Sequence, residues 1–256
     1  MKEYTFFTDL DNTLIYSYKH EIGEQKKSVE LYQGRWISYM TNETESLLRR
    51  IREKCPVVPI TTRTIEQYER IDLGVGDFPY ALTCNGGVLL INGQEDNQWY
   101  QESLKLVASA TGQLKAAFDY LEKDPRRTFE TRLIRDLFVF TKCDCPEQVV
   151  EDLKTTLDLS LVEVFHNGVK VYVVPITLNK GNAVTRFTKR FLVKKTLATG
   201  DSEFDVSMLN SVDIGIAPVA LNREFALCGH VELVPEEELF SEGALRRIWE
   251  ILAGKA

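Results

Sequence analysis

The chain has 256 residues, 44% of them hydrophobic and 27% charged, with a formal net charge of -7. That length accommodates one large or two small packed domains, and the composition excludes disordered, collagen-like and low-complexity classes. The acidic balance argues against nucleic acid or an anionic membrane as a partner held by a basic surface, and no run of 18 apolar residues offers a membrane span.

The first element, residues 4–9, reads as an apolar strand that runs into Asp9 and Asp11. These two acids interrupt the apolar run, and no basic segment precedes it, so a secretory leader is not expected. Residues 43–54 place Leu47, Leu48 and Ile51 on one helical face, capped by Thr41 or Asn42. Residues 57–60 read as a second strand and 64–72 as a helix. The stretch 81–94 carries two Asn-Gly pairs between apolar runs, a hairpin signal. Helical spacing follows over 103–122, a strand over 137–141, a helix over 147–157, and a hairpin over 161–174 that turns at Asn167-Gly168. The C-terminal part alternates: helix 181–192, strand 195–199, helix 203–210, strand 213–217, helix 222–227, strand 231–234, helix 241–253.

Strands separated by helices of this length predict an α/β fold, a doubly wound parallel sheet. The antiparallel character of the middle predicts an inserted α+β domain over 90–174, between core segments 1–89 and 175–256. Cys55, Cys84 and Cys228 sit in apolar contexts and read as buried reduced thiols. Cys143 and Cys145 lack a second pair at zinc spacing. A reducing, cytoplasmic compartment is the expectation.

In an open parallel sheet, chemistry gathers at the C-terminal ends of the strands. Asp9 and Asp11 end the first strand, Thr61, Thr62 and Arg63 end the second, and Asp201 follows the strand at 195–199. Lys180 precedes a helix whose start can face the same rim. Asp9, Asp11 and Asp201 supply hard oxygen ligands of the kind Mg²⁺ takes, and a divalent cation relieves repulsion between neighbouring carboxylates. A carboxylate nucleophile beside a metal, a lysine and hydroxyl donors is the set phosphoryl transfer needs. Each piece also has a plainer reading. D-x-D occurs in turns, Thr61-Thr62 can be a helix cap, Lys180 can be a surface residue, and GDSEFD can be a capped loop.

Together the segments DLDNTL (9–14), PITTR (59–63), NKGNAV (179–184) and GDSEFDVSML (200–209) resemble, in order and spacing, the four motifs of the haloacid-dehalogenase-like (HAD) phosphatases. CNGG (84–87) resembles a segment of the Cof-type branch, which inserts a C2 cap between its second and third motifs. The resemblance implies a phosphatase with Asp9 as nucleophile and Asp11 as general acid and base. It implies Mg²⁺ held by Asp9, by the Asp11 backbone carbonyl and by Asp201. Thr61 and Lys180 would hold the phosphoryl oxygens, with Thr62, Arg63 and Asn85 beside the substrate. Asp205, Ser202 and Thr13 would orient this inner set, and residues 15–40 would form a small flap. Two positions depart from the family pattern: Thr62 stands where the branch has Gly, and Phe204 where it has Asn.

The expected substrate is a small phosphorylated metabolite, a sugar phosphate or a nucleotide-related phosphate. A phosphomutase of the same superfamily and a catalytically weakened phosphate-binding module are the alternatives. Arg126, Arg127, Arg132 and Arg135 either bind a further anionic group or line a solvated face; His166 and Asn167 either reach a substrate or simply close a turn.

Overall fold

The computed structural model describes residues 3–254. Strand β1 (Tyr4–Thr8) leads through β2 (Tyr16–Ser17), β3 (Lys26–Tyr32) and β4 (Arg35–Thr41) to helix α1 (Asn42–Lys54). Next come β5 (Val57–Pro59), the single-turn α2 (Ile65–Tyr68), β6 (Tyr80–Thr83), β7 (Val88–Ile91) and β8 (Gln94–Glu95). The middle contains α3 (Asn97–Val107), α4 (Thr111–Leu121), β9 (Arg132–Ile134), β10 (Phe138–Lys142), α5 (Pro146–Thr156), β11 (Val162–Asn167) and β12 (Lys170–Pro175). The chain ends with α6 (Lys180–Phe191), β13 (Lys195–Thr199), α7 (Glu203–Ser211), β14 (Ile214–Pro218), α8 (Val219–Glu224), β15 (Val231–Val234) and α9 (Phe240–Leu252).

The chain divides into two compact units, residues 1–95 with 180–256, and residues 96–179. The first is built on a parallel sheet in the order β15-β14-β13-β1-β5. Successive side chains of a strand face opposite sides of its sheet, so a strand covered on both sides reads as continuously apolar. β1 follows this rule. Phe6 enters the core formed with Leu47, Leu48 and Ile51 of α1 and Leu245, Ile248 and Ile251 of α9, while Phe7 meets Phe187 of α6 edge-on at 5.5 Å. Two small antiparallel sheets complete this unit, β2-β4-β3 and β6-β7-β8.

The second unit is an antiparallel sheet, β11-β12-β10-β9, with its own core of Leu114, Ala117 and Leu121 from α4, Val149, Val150 and Leu153 from α5, and the strand valines. Its helical stretch starts earlier than predicted, because the Asp96 carboxylate caps the Trp99 amide, and it breaks into α3 and α4 through a tight turn at Ala108–Ala110. The arginines of 126–135 mostly face acids: Arg126 pairs with Asp124 and Asp152, Arg127 with Glu122, Arg132 with Glu130. Arg135 lies over the Tyr100 ring.

Three other expectations change. The helix expected over 64–72 is only α2, since the backbone of 71–72 is taken by β3: Ile71 bridges Glu30, and the Asp72 amide donates to Val29. α8 begins at Val219, directly after Pro218, rather than at 222. Cys228 is exposed, in the loop after α8, whereas Cys55 and Cys84 are buried as expected.

Candidate active site

The parallel register sets the site. Thr8 lies opposite Thr199 on one side and Pro59 on the other. The residues that follow each of these three therefore leave the sheet along one edge: Asp9, then Gly200-Asp201, then Ile60-Thr61. Backbone bonds tie them, with the Asp9 amide donating to Thr199 and the Ile60 amide to Thr8. Beneath, the Thr199 hydroxyl donates to Thr8 Oγ1 at 3.0 Å, and Thr8 donates to the Asp9 carbonyl.

Lys180, at the first turn of α6, is 1% exposed. Its Nζ donates to Asp9 Oδ1 at 2.5 Å and to Asp205 Oδ1 at 2.6 Å. Asp205 Oδ2 accepts from the Asp201 and Ser202 amides and from the Ser202 hydroxyl, which closes a capping box at the start of α7. Asp201 accepts from Thr13 Oγ1 at 3.0 Å. Asp9, Asp201 and Asp205 each bring a carboxylate oxygen to within 4.8 Å of the others.

Two near approaches demand glycine. A Cβ at Gly181 would meet the Ser207 carbonyl oxygen at 2.4 Å, so the close approach of α6 to α7 beside Lys180 requires glycine there. Gly86 has φ +84° in the CNGG turn, and a Cβ there would lie 2.3 Å from the Ala183 side chain of α6.

Electrostatics follow from burial. Burial pushes the Asp9 carboxyl well up from its ordinary value, and the Lys180 ammonium only partly opposes this. Burial, with Asp205 nearby, pushes Asp201 up to about 7. Lys180 is held well above the usual lysine value: burial opposes its charge, but Asp205 and Asp9 more than offset that. Three carboxylates thus face one ammonium. Fully ionised, they leave two negative charges uncompensated, in a set of oxygen donors that fits one divalent cation such as Mg²⁺.

Asp11 stands apart from this cluster. Its carboxylate is gripped by the fork of Arg63, Nε at 2.7 Å and Nη2 at 2.6 Å. The third nitrogen, Nη1, donates to Glu30 Oε1 at 2.8 Å. All three guanidinium nitrogens of Arg63 are therefore engaged by acids. In this arrangement the Asp11 carboxylate is turned to Arg63, outside the cluster formed by Asp9, Asp201 and Asp205.

A family profile described as haloacid dehalogenase-like hydrolase matches residues 90–218. The chain belongs to this family of hydrolases. No curated protein sequence matches it. Among solved structures, the sucrose-phosphatase of a Synechocystis species, bound to sucrose and phosphate, is similar with a TM-score of 0.69 at 19% identity, over 98% of each chain. A haloacid dehalogenase-like hydrolase from B. subtilis gives 0.60 at 16% identity, over 98% of this chain and 100% of that one. A sugar phosphatase of HAD subclass IIB gives 0.58 at 15% identity, over 96% and 98%. At these identities the likeness is one of fold.

The other expected residues of the hydrolase are placed as follows. Thr61 is 1% exposed, and its hydroxyl accepts from the Arg63 amide. Thr62 is partly buried in the same turn. Asn85 is buried in the left-handed turn with φ +58°, and its amide donates to the Thr61 carbonyl, so CNGG braces the end of β5. Phe204 lies in the first turn of α7, partly buried. Sequence reasoning missed Glu30. It is 0% exposed and accepts from Arg63, from Arg70 at 2.9 Å and from Ser38 at 2.7 Å. Arg63 and Ser38 hold its carboxyl below the ordinary range, against the effect of burial. Nothing in KKSVELY marks that residue, which reads there as one polar position of a strand.

Proposed function

We propose that this hydrolase removes phosphate from a small phosphorylated metabolite, foremost a sugar phosphate, in a Mg²⁺-dependent reaction through an aspartyl-phosphate. The observation that carries the reading is the buried cluster in which Lys180 bridges Asp9 and Asp205, with Asp201 alongside. The sugar phosphatases of similar fold support the substrate class.

Asp9 attacks phosphorus with a carboxylate oxygen, and the bond from phosphorus to the ester oxygen breaks. Asp11, once it leaves the Arg63 fork and takes up a proton from solvent, gives that proton to the leaving oxygen, then takes a proton from water as the water oxygen attacks the aspartyl-phosphate. Inorganic phosphate leaves and Asp9 is regenerated. Lys180 and Thr61 offset charge on the phosphoryl oxygens, while Asp205 fixes Lys180. Asp9, Asp201 and the Asp11 carbonyl would hold Mg²⁺, with Thr13 and Ser202 steadying the loops around it. When bound, the cation would neutralise charge building on the transferring group. The residue 96–179 unit is read as a C2-type cap, as in the Cof-type branch, and the protein as cytoplasmic.

The test is release of inorganic phosphate from a panel of sugar phosphates and nucleoside monophosphates. Turnover of at least one sugar phosphate, abolished by EDTA and restored by Mg²⁺, is the expected outcome. Binding of Mg²⁺ with no phosphate released from any member of the panel would reduce the chain to a phosphate-binding module.

A further inference from the structure

We propose that Glu30 is a positioning residue: from the small sheet β2-β4-β3 it fixes the Arg63 guanidinium, and through it the carboxylate of Asp11. The inference rests on the reading of Asp11 as acid and base given above.

The geometry is that of an anchored clamp. Arg63 follows β5 in the turn that opens α2, and a long side chain there has many rotamers to choose from. One of them is selected because Nη1 meets Glu30 at 2.8 Å while Nε and Nη2 form a two-bond fork on Asp11. Glu30 is the fixed end of the clamp. It has no exposed surface, and Ser38 and Arg70 hold it from other sides. Asp11 is the solvent-facing end, with about half its side chain exposed. When Asp11 turns toward a leaving oxygen it gives up the fork, and Glu30 keeps Arg63 in place to receive it again.

An irregularity in the flap brings Glu30 there. The pairing slips on both sides of Glu30: Ser28 lies opposite Tyr39, Glu30 opposite Ser38, and Leu31 opposite Trp36. A bulge of this kind re-aims a side chain and recurs beside active sites. The neighbouring loop is drawn onto the same strand, since Ile71 bridges Glu30 and the Arg70 guanidinium lies over the Tyr32 ring. Arg63, Arg70 and the flap are thus locked together around one buried carboxylate. Two carboxylates and two guanidiniums also cancel, so the clamp adds no net charge to the catalytic cluster.

The experiment is a double-mutant cycle on Glu30→Gln and Arg63→Lys, with kcat and KM measured on the best substrate of the panel and inhibition by inorganic phosphate measured alongside. Each single variant is expected to lose about 10-fold in kcat, with KM and the phosphate inhibition constant within about 2-fold. The double variant is expected to lose little more than either single one, because both act through one clamp. Additive losses, wild-type kcat in both single variants, or a loss carried by KM or by phosphate affinity would overturn the proposal. Thermal melts accompany each variant, and Glu30→Asp, too short to reach Arg63 but still charged, replaces Glu30→Gln in the cycle should the latter not fold. Asp9→Asn, run in parallel, separates the two readings: wild-type turnover there defeats the catalytic assignment itself, whereas an inactive Asp9→Asn with an additive cycle defeats only the role of Glu30.

Discussion

Two charge clusters lie on the first unit, and they are balanced differently. Around Glu30, two carboxylates (Glu30 and Asp11) meet two guanidiniums (Arg63 and Arg70), and every charge has an opposite partner within hydrogen-bonding distance. Around Asp9, three carboxylates share one lysine. The first cluster is balanced as it stands, its charges paired within the protein. The second carries more carboxylates than cations, and burial pushes two of them toward the protonated form, an imbalance that a bound cation would also relieve. A folded chain tolerates such an imbalance where binding or chemistry later makes use of it. Breaking each cluster should therefore have a different signature.

The largest effect is expected from Lys180→Met. It removes an ammonium bonded to two buried carboxylates, so phosphate release should fall at least about 1,000-fold, with an unfolding free energy lower by about 3–5 kcal/mol. Kinetics and urea unfolding of the same preparation check both parts. Glu30→Ala comes next. It strips two guanidiniums of their buried counter-charge and should cost a similar 3–5 kcal/mol in urea unfolding, while the affinity for Mg²⁺ stays near that of the wild type. A variant that lost Mg²⁺ affinity as well would merge the two clusters into one.

The pH dependence separates them further. Asp201 binds its proton more tightly when folded, near 7, than in the unfolded chain, near 3.8. Between these values the folded state holds a proton that the unfolded state has lost, so this group makes stability fall as pH rises. Asp9 acts in the same direction. Glu30 is the opposite case: its folded value lies below the ordinary 4.5, so its contribution is present above that pH and is lost as pH falls further. Thermal melts without metal should show Tm declining toward pH 7, and saturating Mg²⁺ should remove most of the decline. A metal-independent profile would show that the excess charge is not a cation site. The smallest effect is expected from Thr13→Val, which deletes one hydrogen bond to Asp201 and should weaken Mg²⁺ binding about 10-fold by titration calorimetry, with Tm nearly unchanged.

The same contrast explains what could be read in the amino-acid sequence. Asp9, Thr61 and Asp201 each lie at or just past the end of a short strand-like run, and the rule that parallel strands deliver their chemistry at the C-terminal edge puts them together without any side-chain geometry. Lys180 and Asp205 are less accessible to that rule, because the Lys180 bridge depends on how closely α6 and α7 approach, which Gly181 permits. Glu30 escaped altogether. Its burial depends on a slipped register within β3 and β4, and strand periodicity assumes that no such slip occurs. The shortness of α2 has the same origin: local sequence favours helix through residue 72, but β3 takes the backbone of 71–72 for its own edge. The alternation of strands and helices was legible because it is local; the clamp was not, because it is made by tertiary pairing.

The most direct test is phosphate release by Asp9→Asn in the presence of Mg²⁺, with the wild type run beside it on the same sugar phosphate. Asparagine keeps the shape of the side chain but not its nucleophilic oxygen, so turnover should fall at least about 1,000-fold while the fold and the position of Lys180 persist. Turnover within a few-fold of the wild type would contradict the assignment of Asp9 as the group that takes the phosphoryl.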